Sequence, residues 1–116
     1  MIKSNIFQIE RPWGNFRQFT KNEKSTIKII KVLSNETLSL QSHKNRSEFW
    51  HVIVGSGTVE INGVKKDTIV GDEYEIEREE NHRLSAGAGG IEVLEIAIGD
   101  FDEDDIIHYE DKYGRI

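Results

Sequence analysis

The sequence contains no cysteine, and this absence excludes several kinds of site. A chain without thiols forms no disulfide bonds, binds no metal ion through thiolates and uses no cysteine nucleophile. The sequence also lacks any apolar run near the roughly 20 residues that a membrane-spanning helix needs, and its first residues do not form an apolar signal region. We therefore predict a cytoplasmic protein that makes no contact with a membrane.

Basic residues are fewer than acidic ones. The chain has 15 Lys and Arg residues against 21 Asp and Glu residues, which gives a formal net charge of -6. This balance argues against nucleic-acid binding, and an anionic small molecule would need a local basic cluster to overcome it. The length of 116 residues is enough for one hydrophobic core, so we predict a single domain that spans residues 1–116.

Short runs rich in β-branched residues alternate with turn signals along most of the chain. The Asn62-Gly63 pair is the strongest hairpin signal, because both residues tolerate the positive φ angles of a type I′ turn. The glycines of 55–57 predict another turn, and those of 87–90 predict a flexible connection. Helix is expected only at 104–109, in an acidic and aromatic tail that wraps the outside. The pattern predicts an all-β barrel or sandwich.

Four potential metal ligands stand at positions that two or three neighbouring strands can bring together. Gln41 and His43 are two residues apart and so leave the same face of a strand. Glu48 opens the next apolar run, and His82 begins a later one. An amide oxygen, two imidazoles and a carboxylate are a suitable ligand set for a divalent cation. The alternative is that the two histidines are simply packed or exposed, without an ion.

Several motifs in this order resemble the cupin domain of type II phosphomannose isomerases. The resemblance covers about residues 11–115, nearly the whole chain. The similar segments are Arg11-Pro12-Trp13-Gly14 at the start, the run from Leu38 to His43 with Arg46, Glu48, Trp50 and Gly55, then His82-Arg83-Leu84, and the closing stretch from Glu103 to Ile107 with Asp111, Tyr113, Gly114 and Arg115.

The resemblance implies a cupin jelly-roll barrel that holds one divalent metal ion and interconverts mannose 6-phosphate and fructose 6-phosphate. In that family the domain usually follows a mannose-1-phosphate guanylyltransferase domain, for which 116 residues leave no room. The ligand set of Gln41, His43, Glu48 and His82 suits Zn, Co, Mn, Ni or Fe, and we favour zinc.

An aldose–ketose isomerase moves a proton between two carbons through an enediolate, so it needs a base. Glu95 is the candidate, because a carboxylate on an otherwise apolar strand is expected to have a raised pKa. Arg46 lies between two ligands in the sequence and is our first choice for stabilising the enediolate. The alternatives are that Glu95 is a structural ion-pair partner and that Arg46 only orients Glu48.

The phosphate group of such a substrate would need cationic side chains. We predict that Lys44, Arg11 and Arg115 contact it, with help from Arg46. Arg115 has the alternative role of tying down the tail. The remaining histidines, His51 and His108, are expected to be surface or packing residues.

Two other functions compete with the isomerase. One is a non-catalytic module that binds a sugar phosphate or a nucleotide sugar, and the other is a different metal-dependent cupin enzyme, such as an oxygenase or an epimerase. In each case we expect a homodimer, because small jelly rolls expose sheet edges that pairing can close.

Overall fold

The computed structural model describes residues 3–115, which form nine β-strands and no α-helix. A short 3-10 turn, Lys3–Asn5, precedes them. The strands are β1 Phe7–Arg11, β2 Gly14–Gln18, β3 Ser25–Val32, β4 Leu40–Ser42, β5 Arg46–Ile61, β6 Val64–Ile69, β7 Glu73–Ile76, β8 His82–Gly99 and β9 Ile107–Glu110. In this part of the chain there is no helix long and apolar enough to cross a membrane. The all-β prediction is confirmed.

The two longest strands, β5 and β8, form the frame of the main seven-stranded sheet. They pair antiparallel, and β3 and β4 join β8 while β6 and β7 join β5. Strands β1 and β2 form a separate hairpin that turns at Pro12-Trp13. The β5–β6 hairpin turns at Asn62-Gly63, where both φ angles are positive (50° and 79°), as expected for a type I′ turn.

The glycines predicted to end strands instead bend them. Strand β5 continues through Gly55 and Gly57, and the β5–β8 register shifts at these positions. A Cβ atom on Gly55 would lie 2.1 Å from the carbonyl oxygen of Gly90, and one on Gly57 would lie 2.0 Å from that of Ser85. The predictions of a turn at 55–57 and a flexible connection at 87–90 are therefore wrong, because these glycines permit close backbone approach at bulges.

Because β5 and β8 bend, residues from both ends of each strand reach one interior. Trp50 and Val52 from the first part of β5 pack with Val59 from its second part. Leu84 from the first part of β8 likewise lies in one cluster with Val93 from its second part. The result is an apolar core at one end of the interior, with Val32, Ile76 and Ile91 completing it. Alternation along the strands keeps these side chains on the inner face.

The tail differs from its prediction. The predicted helix at 104–109 is a turn followed by strand β9, which pairs with β4. Tyr109 also hydrogen-bonds Ser42 through its hydroxyl at 2.9 Å. The Asp, Ile, His and Tyr residues of this segment have only modest helix propensity, and pairing with the open edge of β4 outweighs it. The tail thus becomes part of the sheet next to the predicted ligands, instead of an outer wrap.

Candidate metal centre and its cavity

Three of the four predicted ligands meet at the polar end of the interior. His43, Glu48 and His82 are all buried, and one ligand atom from each lies within 4.8 Å of the others. The Nε2 atom of His43 is 3.4 Å from one oxygen of Glu48, and the Nε2 atom of His82 is 3.4 Å from the other. The three residues come together because each lies at or near the end of a strand. His43 follows β4, Glu48 lies near the start of β5 and His82 begins β8.

The second nitrogen of each imidazole is held by a backbone carbonyl. The Nδ1 atom of His43 donates to Asp105 at 2.8 Å, and that of His82 donates to Glu80 at 2.9 Å. Since a carbonyl only accepts, Nδ1 carries a proton in each ring, and the Nε2 atoms are directed at Glu48. Fixing the tautomer in this way is typical of histidines that bind metals.

The electrostatics of the trio fit a cation. Burial lowers the pKa of His43, which favours the neutral ring. Burial also acts to raise the pKa of Glu48, but its contacts with His82 and His43 outweigh burial and lower that pKa to about 2. The Oε1 atom of Glu48 is buried and has no hydrogen-bond partner. Two lone pairs and an ionised oxygen directed at one another therefore suit a divalent ion, and this group of residues could hold one.

Gln41 lies beside the trio on strand β4. It pairs with His82 in the β4–β8 register and lines the same cavity of about 260 Å³. Its side-chain nitrogen donates to the Ser39 carbonyl at 3.4 Å. The structure thus brings Gln41 to the wall of the site, while its role as a fourth ligand stays a prediction.

Arg46 connects the trio to the tail. Its Nε atom donates to Glu48 at 3.2 Å, Nη2 to the Nε2 atom of His43 at 3.3 Å, and Nη1 to the carbonyl of Asp102 at 3.1 Å. The guanidinium also stacks 4.3 Å from the centre of the Phe101 ring. Arg46 therefore orients Glu48, and it also faces the cavity, so the geometry accommodates both of its predicted roles.

Glu95 lies in the same cavity, one strand away from Glu48. It is 3% exposed and accepts a hydrogen bond from the Trp50 indole at 3.2 Å. Lys28, its cross-strand neighbour on β3, places its Nζ atom 3.5 Å from the other oxygen. Burial and then the charge of Glu48 raise the pKa of Glu95 to about 7, against the opposing effect of Lys28. The direction agrees with the prediction from sequence.

The predicted phosphate contacts divide into two groups. Arg115 lines the cavity but is held by Asp111 through two hydrogen bonds of 2.6 and 3.0 Å, which matches the alternative role of tying down the tail. Arg11 stacks on Phe16 in the β1–β2 hairpin, and Lys44 is exposed. Neither Arg11 nor Lys44 is among the residues that line the cavity, so their contact with a phosphate stays a prediction that this geometry does not support.

Sequence reasoning missed several residues of the site. Lys28 is one of them, since the alternation of β3 places it on the inner face with Ile30 and Val32. The tail contributes Asp105, whose carboxylate accepts the backbone N–H groups of Lys44 and Asn45 at 2.9 Å each. His108 also lines the cavity and hydrogen-bonds Ser39 at 2.8 Å, whereas His51 contacts Glu73 outside it.

The bent sheet and the buried ligand trio define a cupin, and comparison with solved structures agrees. A cupin protein from Bacteroides fragilis superposes with a TM-score of 0.60 at 21% identity, covering 70% of this chain and 74% of that one. At this level of identity the likeness establishes the fold alone. The predicted cupin jelly-roll barrel is confirmed.

The family follows from the sequence comparisons. Residues 3–111 match the family described as "Mannose-6-phosphate isomerase C-terminal", and the chain belongs to that family. Mannose-1-phosphate guanylyltransferase ManC of Salmonella typhimurium is 33% identical over 111 residues, covering 94% of this chain and 23% of that protein. Xanthan biosynthesis protein XanB of Xanthomonas campestris is 35% identical, covering 93% and 24%. The chain thus spans about a quarter of the length of these relatives.

Proposed function

We propose that the protein is a metal-dependent aldose–ketose isomerase that interconverts mannose 6-phosphate and fructose 6-phosphate. The main support is that one cavity is lined both by a buried trio that could bind a cation and by a second carboxylate, Glu95. Membership of the isomerase family supports the choice of substrate. One of the longer relatives is named a guanylyltransferase and the other a xanthan biosynthesis protein. Since the match covers only about a quarter of each, neither role is carried over.

In this proposal His43, Glu48 and His82, with Gln41, hold one divalent ion. Zinc is favoured among Zn, Co, Mn, Ni and Fe, because imidazole and carboxylate ligands suit all of these metals. When bound, such an ion supplies Lewis-acid stabilisation of a developing oxyanion. These residues line the cavity, so an ion held by them would be accessible to the oxygens of a sugar that enters it.

Proton transfer between the two sugar carbons is assigned to Glu95. Its pKa of about 7 suits a group that must accept and then return a proton near neutral pH. The indole of Trp50 fixes one oxygen of Glu95, which leaves the other toward Lys28 and the cavity. Arg46, which donates to Glu48 and lines the same cavity, would stabilise the negative charge of the enediolate.

The test is an isomerase assay with mannose 6-phosphate on protein stripped by chelator and then reloaded with each metal. We expect turnover to disappear on stripping and to return with metal. Glu95→Gln should lower kcat by about 100-fold or more while metal content is unchanged. A fully loaded protein that binds mannose 6-phosphate without converting it would instead indicate a non-catalytic binding module. Loaded protein that neither binds nor converts it contradicts both readings.

We also propose a homodimer. Strand β3 pairs only with β8 among the described residues, so its second edge is unpaired. The outward side chains Ile27 and Ile29 on that strand are 59% and 58% exposed. An open edge with an apolar face favours pairing with a second copy. Light scattering should give twice the mass of one chain, and a monomeric mass at micromolar concentration would refute the dimer.

A further inference from the structure

Two cationic side chains meet over one aromatic ring beside the cavity. The Nζ atom of Lys28 lies 4.6 Å from the centre of the Phe101 ring, and the guanidinium of Arg46 lies 4.3 Å from it. Both cations line the cavity that contains the ligand trio. Phe101 comes from the tail, just after β8, whereas the cations come from β3 and β5. Cation–π attraction to this one ring therefore offsets the repulsion between the two charges.

Both cations retain donors for a further ligand. The carboxylate of Glu95, at 3.5 Å, is the ion-pair partner of Lys28, and an ammonium group has three donors. The side chain of Lys28 is 38% exposed, so its head can meet a ligand that enters from solvent. Arg46 donates to Glu48, His43 and Asp102, and its guanidinium has more N–H groups than these contacts use.

The charge of the pair has a specific use in an acidic protein. The chain carries a net charge of -6, so attraction of an anion must come from a local basic group. We propose that Lys28 and Arg46 form the subsite for the phosphate of the sugar phosphate, and that Phe101 is the positioning residue that sets their spacing. This inference rests on the proposed function, and it replaces Arg11 and Lys44 as the main phosphate contacts.

The first experiment measures binding of inorganic phosphate by calorimetry, which does not depend on turnover. Lys28→Gln should weaken binding about tenfold, because a charge-assisted contact is lost. Lys28→Arg should restore most of the affinity. Lys31→Gln is the matched control, since Lys31 lies on the same strand but is exposed on its outer face, and it should bind phosphate like the parent protein.

The second experiment tests the positioning role of the ring. Phe101→Leu keeps an apolar side chain but removes the π-face, and we expect phosphate binding to weaken about threefold to tenfold. Phe101→Tyr should restore it. The Leu variant should bind as much metal as the parent protein, whereas general damage to the site would lower its metal content.

The outcomes separate this inference from the proposed function. If the parent protein binds no phosphate, or if Lys28→Gln and Phe101→Leu both bind it unchanged, the subsite is refuted even if the enzyme isomerises mannose 6-phosphate. If phosphate binding depends on Lys28 and Phe101 but no metal-loaded sample shows turnover, the subsite stands and the isomerase proposal fails.

Discussion

The two ends of the barrel interior are equally buried but chemically opposite. At one end Val52, Leu84 and Val93 have no exposed surface. At the other, Glu48 and His82 are 2% exposed. The same two strands supply both ends, since β5 carries Glu48 and Val52 while β8 carries His82 and Leu84. Burial therefore does not distinguish core from site in this fold, and only the side-chain chemistry does.

The comparison teaches which end stabilises the fold and which end costs stability. Burial of apolar surface is favourable, at about 25 cal/mol per Å². Buried charges lose their hydration and recover it only through good partners, so the polar end is retained for a reason other than stability. Trp50 lies at the boundary, with its indole N–H on Glu95 and its ring edge-on to His82 at 5.6 Å between ring centres.

The largest expected effect comes from Glu48→Gln. Loss of the only carboxylate in the trio should lower metal affinity by about 100-fold or more, and isomerase activity should fall with it. The metal-free variant should be less stable than the metal-free parent, because the buried guanidinium of Arg46 loses its charged partner. Elemental analysis and thermal unfolding after chelation measure the two quantities.

Equal metal content in Glu48→Gln and the parent would place the ion elsewhere. A metal-free variant as stable as the parent would show that the ion pair with Glu48 is not needed to hold Arg46 in the interior. Glu60→Gln is a control, since Glu60 lies on the same strand outside the cavity.

Gly55→Ala tests the bend that lets β5 supply both ends. The added Cβ would lie 2.1 Å from the Gly90 carbonyl oxygen, and we expect a loss of about 4 kcal/mol or more in the free energy of unfolding. Gly63→Ala is a matched control, because Gly63 has the same φ of 79° but no atom within 4 Å of its Cβ position. That variant should lose only about 1–2 kcal/mol, the cost of the left-handed backbone. Similar losses in urea unfolding of both would show that close approach is unimportant.

Leu84→Ala probes the apolar end alone. Removing a fully buried leucine should cost about 3 kcal/mol through lost transfer energy and a residual cavity. Metal stoichiometry should not change below the unfolding temperature, because Leu84 is not among the cavity-lining residues of the site. Leu94→Ala, on the same strand but only partly buried, should cost less. A fall in metal content of folded Leu84→Ala would show that the two ends are coupled.

The sequence predicted what depends on local chemistry. The Asn62-Gly63 turn follows from backbone preference, and the period of two places His43 and Glu48 on inner faces. It did not predict continuity of β8 through 87–90, because a glycine run reads the same in a bulge and in a loop. It also missed Asp105 as a neighbour of His43, since that contact exists only after the tail pairs with β4. Long-range pairing leaves no local pattern.

The smallest expected effect concerns how the tail supports the polar end. The backbone N–H groups of Lys44 and Asn45 hold the pKa of Asp105 below its usual range. A pKa that is lower in the folded state stabilises the fold fully above the unfolded value, near 3.9, and this contribution is lost as pH falls through the folded value. The stability difference between the metal-free parent and Asp105→Asn should therefore be constant from about pH 7 to 5 and shrink below about pH 4.

Urea unfolding across this pH range measures that difference. Metal-free protein is used because metal binding is itself pH-dependent and would add to the change. Asp104→Asn, at the exposed neighbouring position, is the control and should differ little from the parent at any pH. The Asp105 backbone carbonyl also holds the His43 ring. Weaker contacts of the new asparagine side chain should loosen this segment, so Asp105→Asn should weaken metal binding at neutral pH, but less than Glu48→Gln does. Unchanged metal affinity together with a pH-independent stability difference would show that the tail covers the polar end without organising it.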